Sequence, residues 1–406
     1  MRIRRLFGVL AVVALVTAGC GDDDDDDATG ATSTTQASEG ESASVTVNVD
    51  AETDDPVSFS LGYFPGTVRV RPGDTVVYKS NFTGEPHTIT FGSFITPAIE
   101  AVENATPEQL AADEPPPAFE PLFKYAMLPQ GPGDANQVSA NPCFVTTGDL
   151  PADTTQPCPD QEPAPFTGKE VFYNSGFLAD DEEFEIKLAD DIAPGTYKGF
   201  CMLHFTEMVS TITVVAEGED VTTAEEAEAQ AEQELAVLAA KAKEAAEKAE
   251  ASVEPGTVLA GDPIGEGEEE PTGPPKPNTA VGLAEFTPRE TTIPSGGSVT
   301  WNINGPHSVT FNAPEDARVI IGKGPDGRTH LNEKAASPAL FNVPPPPEGE
   351  PEGPPPTVDL GSYDGSGFAN TGIQFGGAFK VTFTKPGTYS YICVVHPDMK
   401  GTVKVT

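Results

Sequence analysis

The chain has 406 residues, with 40 glycines, 41 prolines and a formal charge of −40. That charge argues against nucleic acid or an anionic membrane surface as a partner and favours a basic one. The Gly and Pro content points to turns and loops rather than long helices, and the length allows two or three domains.

Residues 1–19 read as a signal peptide. Arg2, Arg4 and Arg5 precede a short apolar run, Leu6 to Val16, too brief to span a bilayer. Thr17-Ala18-Gly19-Cys20 is similar to a bacterial lipobox, with Cys20 as the lipidated residue and the lipid as the only membrane anchor. A plain cleaved signal is the alternative, and Arg4-Arg5-Leu6-Phe7 also resembles a short twin-arginine signal. The expected location is the extracytoplasmic face of the cell membrane. Residues 20–44 follow as the lipidated Cys and an acidic tether too polar to bury a core.

Short alternating runs such as VTVNV and TVRVRPGDTVVYKS predict half-buried strands from Val45 onward. They define a first domain, 45–216, with a Pro-rich insertion at about 92–168. In that insertion Cys143 and Cys158 are expected to pair in an oxidising compartment, a loop crosslink worth about 3 kcal/mol by chain entropy. Residues 217–278 read as a spacer: an Ala/Glu/Lys-rich helix over 222–252, then a flexible Pro/Gly-rich loop. An extended helix would hold the flanking domains apart, whereas one folded back would let them communicate. Strands resume in a second domain, 279–406, with a Pro-rich insertion at about 312–358.

The two strand-rich blocks repeat one another. EPHTITF (85–91) matches GPHSVTF (305–311), NSGF (174–177) matches GSGF (365–368), and PGTYKGFCMLH (194–204) matches PGTYSYICVVH (386–396). In both, the cysteine follows the tyrosine by four positions, Tyr197 to Cys201 and Tyr389 to Cys393. Tyr78 and Trp301 hold corresponding strand positions, as core. The chain has only 5 His, 5 Cys and 5 Met, yet each repeat gathers one thiol, two imidazoles and a thioether: His87, Cys201, His204 and Met208, then His307, Cys393, His396 and Met399. One thiolate and two imidazoles with a weak axial thioether form the ligand set of a blue-copper electron-transfer site. Cys and His three apart can point inward from one tight loop, the Met follows before the next strand, and the distant His arrives from an earlier strand. Buried core residues, a zinc site and a Cys201–Cys393 disulfide are the competing readings. Structural zinc favours more thiolates, and a disulfide would leave both His/Met sets unexplained.

On these motifs both blocks resemble cupredoxins of the plastocyanin/amicyanin type. CVVHPDMKGTVKV (393–405) resembles the short ligand loop of amicyanins; CMLHFTEMVSTITVV (201–215) has one more residue between His and Met and lacks the proline. The resemblance implies an all-β chain of two Greek-key β-sandwich domains joined by the helical spacer. It also implies one copper per domain, held by the eight residues named, and a one-electron carrier working with a redox partner protein, here a basic one. The alternative function is copper storage, delivery or sensing without electron transfer. Only His330 is left over, in a loop expected at the surface. The imidazoles needed for a trinuclear cluster or a second all-histidine site are therefore lacking, so the chain is not expected to be an enzyme or to take a small-molecule substrate.

Overall fold

A computed structural model describes residues 42–406 apart from 82–83, 107–108, 110–114, 130–133, 142–147, 151–162, 179–180, 264–275, 325–328 and 345–355. The signal peptide, Cys20, most of the tether, Cys143 and Cys158 lie outside the described residues.

Alternation builds the sheets. Ser44–Val49, Thr75–Ser80 and Glu183–Lys187 each bury every second side chain, as does Lys400–Val405 in the second half; such a strand covers a core with one face and meets water with the other. In the first domain one sheet runs Tyr63–Phe64, Ser44–Val49, Thr75–Ser80, Glu183–Lys187, and the other Thr67–Val70, Phe205–Val214, Gly195–Cys201, Thr90–Phe91, Tyr173–Asn174. The second domain repeats this plan. Its sheets run Phe286–Thr287, Thr257–Gly261, Ser298–His307, Gln374–Phe383, Val358–Tyr363 and Glu290–Ile293, Lys400–Val405, Gly387–Ile392, Thr310–Phe311, Ala369–Asn370. Each domain is a sandwich of two β-sheets. Tyr78 and Trp301 occupy equivalent central strands and are fully buried.

Two readings of the sequence change. The strand Thr257–Gly261 lies within the stretch read as spacer, yet it pairs in parallel with Ser298–His307 and belongs to the second sandwich. The counterpart of Asn174-Ser175-Gly176 is Asn370-Thr371-Gly372, not residues 365–368. Thr90 Oγ1 donates to Asn174 Oδ1 and Thr310 Oγ1 to Asn370 Oδ1, both at 2.8 Å. Ser175 Oγ and Thr371 Oγ1 accept from Ile89 N–H and Val309 N–H, both at 2.9 Å. The matching groups are therefore a hydroxyl and an amide side chain, which the Gly-Phe identity at 365–368 concealed.

The helix Ala224–Ser252 folds back rather than standing clear. Thr223 caps it in a reciprocal capping box with Glu226, which satisfies backbone donors that the first turn leaves free. Its buried residues, Ala227, Ala231, Leu238, Ala242 and Ala249, recur at helical spacing and form one narrow stripe. Ala231 and Leu238 pack on Phe64 of the first domain, and Ala249 packs on Leu259 and Leu283 beside the second. Small side chains let the helix lie close to both. Ala280–Leu283 pairs antiparallel with Val57–Leu61, Val57 N–H donates to Glu285 Oε1 at 2.8 Å, and the buried core is continuous through the two sandwiches. The domains are thus joined by helix, strand pairing and shared core. The first insertion covers Phe200, Met202 and Val209 with a second apolar cluster around Ile95, Phe119 and Leu122. The two insertions also meet: Leu331 N–H donates to Pro129 O at 2.8 Å, and Gln137 Nε2 lies 3.2 Å from His330 Nδ1. His330 is therefore half-buried at that junction, not a free surface residue as expected.

Candidate metal centres

Folding brings each set together from distant strands. In the first centre, His87 precedes Thr90–Phe91, while Cys201 ends the strand Gly195–Cys201 and His204 sits in the turn that follows. His87 Nδ1 and His204 Nδ1 are 3.2 Å apart, and Cys201 Sγ lies 3.5 Å from His204 Nδ1 and 4.0 Å from His87 Nδ1. In the second centre the Nδ1 atoms of His307 and His396 are 3.1 Å apart, and Cys393 Sγ lies 3.9 and 3.8 Å from them. Within each triad the nitrogen and sulfur donors lie within 4.8 Å of one another. The sulfurs also accept matching backbone bonds, from Thr88 N–H and Ser308 N–H, both at 3.4 Å. Cys201 and Cys393 are free thiols, which removes the disulfide alternative.

Met208 and Met399 are fully buried in the same core as the cysteines. Met399 is positioned as expected, just before the strand Lys400–Val405, with Cys393 N–H donating to its carbonyl at 3.0 Å. Met208 is not. A register shift between Phe200 and Cys201 lets the return strand begin at Phe205, so Met208 lies inside Phe205–Val214 on its buried face. That is where the extra residue of the first loop is absorbed.

The donor set fits a metal. With metal–nitrogen bonds of about 2.0 Å and a metal–sulfur bond of about 2.3 Å, a trigonal ion would set N–N edges of about 3.5 Å and N–S edges of about 3.7 Å. The observed edges fall within a few tenths of an ångström of these values. The outer partners fix the tautomers. His87 Nε2 lies 2.7 Å from Asp50 Oδ2 and His204 Nε2 lies 3.1 Å from Glu85 Oε2. A proton held at Nε2 by a carboxylate leaves the Nδ1 lone pair facing the sulfur, as a ligand requires.

Electrostatics follow this layout. Burial opposes the Cys201 thiolate, but the His204 and His87 rings outweigh it and hold the thiol well below its usual range. Cys393 is lowered likewise, by His307 and His396. Burial also opposes charge on His87, yet Asp50 offsets this and raises the ring to about 9. His307 is lowered, chiefly by burial. The two centres differ here because of one position. Val47 pairs with Tyr78 and Val258 pairs with Trp301, which makes Asp50 and Gly261 structural counterparts. Both have positive φ, 64° and 92°. A Cβ on Gly261 would stand 2.2 Å from Asn304 O and 2.4 Å from His307 Nε2, so the second centre has a glycine where the first has its carboxylate.

Sequence reasoning did not single out Asp50, Glu85 or Phe59. Glu85 and Gly305 hold the same place two residues before His87 and His307, and that mismatch between the repeats was the available signal. Phe59, from the first domain, stacks on His396 of the second with ring centroids 4.8 Å apart and an interplanar angle of 10°.

No protein-family model matches the chain, and no curated protein matches it significantly. Among solved structures the chain is similar to reduced auracyanin from Roseiflexus castenholzii (19% identity, 44% of this chain and 100% of that one, TM-score 0.22). It is also similar to auracyanin A from Chloroflexus aurantiacus (16% identity, 42% and 98%, TM-score 0.22) and to a Cu(I) amicyanin mutant (10% identity, 42% and 82%, TM-score 0.20). At TM-scores this low the likenesses bear no weight. The fold rests on the strand order, and the fit to a metal ion rests on the paired Cys/His/His clusters.

Proposed function

We propose that the chain is an exported copper protein that carries single electrons. His87, Cys201 and His204 would hold one ion and His307, Cys393 and His396 the other, with Met208 and Met399 as the axial thioethers. Copper bound there supplies reversible Cu(I)/Cu(II) chemistry. The supporting observation is that the same thiol and two Nδ1 atoms converge twice, with a backbone N–H bonded to each sulfur. A donor set so pre-shaped suits two oxidation states with little rearrangement. Five of the six donor residues are buried and His204 is partly so, which favours electron transfer over handing the metal to another protein. The N-terminal signal and Cys20 support a lipid anchor at the extracytoplasmic face, and the acidic charge supports a basic redox partner whose association weakens with salt.

Copper loading of the full chain, with visible and EPR spectra of wild type, Cys201→Ser and Cys393→Ser, tests this. Two coppers per chain, an intense thiolate-to-copper band and loss of about half of it in each variant are expected. Copper without such a band, exchanging readily to chelators, would instead mean storage or delivery.

A further inference from the structure

The two centres share a residue. Glu85, on the first domain, lies with Oε2 3.1 Å from His204 Nε2 and Oε1 3.4 Å from His396 Nε2. The second contact is too poorly aligned to count as a hydrogen bond, but it is a close polar contact between buried groups. The Glu85 carboxylate is 8% exposed, and the His204 and His396 side chains are 9% and 1% exposed. The ring edges that would otherwise face solvent therefore face one another across a single carboxylate. The approach is enforced by the backbone. Gly84 has φ 113°, and a Cβ there would stand 1.8 Å from Val395 O. The segment carrying Glu85 is thus pressed against the Cys393–Met399 loop as only glycine allows. Burying a carboxylate is costly unless it is well paired, and among the described residues this one is paired only to the outer nitrogens of two candidate metal ligands.

Building on the copper reading above, we propose that Glu85 joins the two centres into one intramolecular relay, running through His204, the Glu85 carboxylate and His396, with the electron favouring the Cys393 centre. The direction comes from the Asp50/Gly261 difference. Asp50 adds negative charge and a strong hydrogen bond to His87 alone, which favours the higher oxidation state in the first centre. The exchange balances simply. One centre loses one electron and the other gains it, no bond forms or breaks and no proton moves. The first electron comes from an external one-electron reductant, a photoreduced flavin in the test below.

The test is flash photoreduction of the copper-loaded full chain by less than one electron per molecule. The two thiolate-to-copper bands are told apart from the Cys201→Ser and Cys393→Ser spectra. Wild type is expected to show a redistribution whose rate is independent of protein concentration and which ends mainly at the Cys393 centre. At matched copper content, Glu85→Leu is expected to slow that phase at least tenfold and Glu85→Gln to slow it less. Asp50→Asn is expected to move the final distribution at least threefold toward the Cys201 centre. A static readout accompanies these rates: loading the Cys201 centre shifts the EPR parameters of the Cys393 centre, and Glu85→Leu abolishes that shift. Redistribution that occurs only by collision between molecules, or an unchanged rate in Glu85→Leu, overturns the relay while leaving two copper centres standing. If the Glu85 variants do not fold, absence of the concentration-independent phase in wild type overturns it equally. If wild type takes up no copper, the copper reading itself fails and the relay with it.

Discussion

Asp50→Asn is the sharpest probe of how this fold prepares a metal ligand. The Asp50 carboxylate is buried, 2.7 Å from His87 Nε2, and also accepts from Ala51 N–H at 2.6 Å and Ser60 N–H at 3.2 Å. Asparagine keeps the volume and an acceptor but removes the charge. His87 is raised from 6.5 to about 9 against the opposing effect of burial, which corresponds to about 3 kcal/mol in favour of positive charge on that ring. A metal at Nδ1 places its charge across the ring instead of on it, so part of that preference carries over. Loss of such an outer partner typically weakens metal binding by about 10–100-fold, or about 1.4–2.7 kcal/mol. Competition titration of Cu(II) at the first centre in a Cys393→Ser background reads this directly. The first centre should also become easier to reduce, since the lost charge had favoured the oxidised ion. Affinity and potential both unchanged would refute the reasoning and make Asp50 a purely structural residue.

Gly261→Ala would force a methyl against His307 Nε2 and Asn304 O at a positive-φ position. Copper affinity of the second centre is expected to fall at least tenfold, with the first centre's spectrum retained. Gly84→Ala would push the Glu85 segment off Val395, and at a cost of about 1–3 kcal/mol for the left-handed backbone alone it should lower the thermal midpoint and loosen contact between the centres. Thr223→Ala removes the capping box of the strapping helix and is expected to cost about 1 kcal/mol in denaturant unfolding, with copper spectra unaltered.

Much of this organisation was legible in the sequence, because a strand with one wet face must alternate and a strong helix former declares itself by composition. The repeat motifs around His87, Cys201, His307 and Cys393 located both donor sets, since tight-loop ligand geometry leaves little freedom in spacing. Three features were hidden for physical reasons. Thr257–Gly261 is a short apolar run inside a Pro/Gly-rich stretch, and only its partner strand shows that it is sheet. The stripe of Ala227, Ala231, Ala242 and Ala249 has little apolar bulk, so a face built for close packing read as a solvated spacer. Asp50 and Glu85 are two of 63 acidic residues, and a carboxylate buried beside a histidine looks like one in water until the chain is folded. The repeats did hold the clue, because each of these acids stands opposite a glycine in the other copy.

Copper-edge anomalous diffraction from crystals of the loaded protein measures the central claim most directly. Two anomalous peaks are predicted, one bonded to Cys201 Sγ and the Nδ1 atoms of His87 and His204, the other to Cys393 Sγ and the Nδ1 atoms of His307 and His396, with Glu85 between them. Peaks away from both sulfurs, or a single peak at Glu85 alone, would contradict the account.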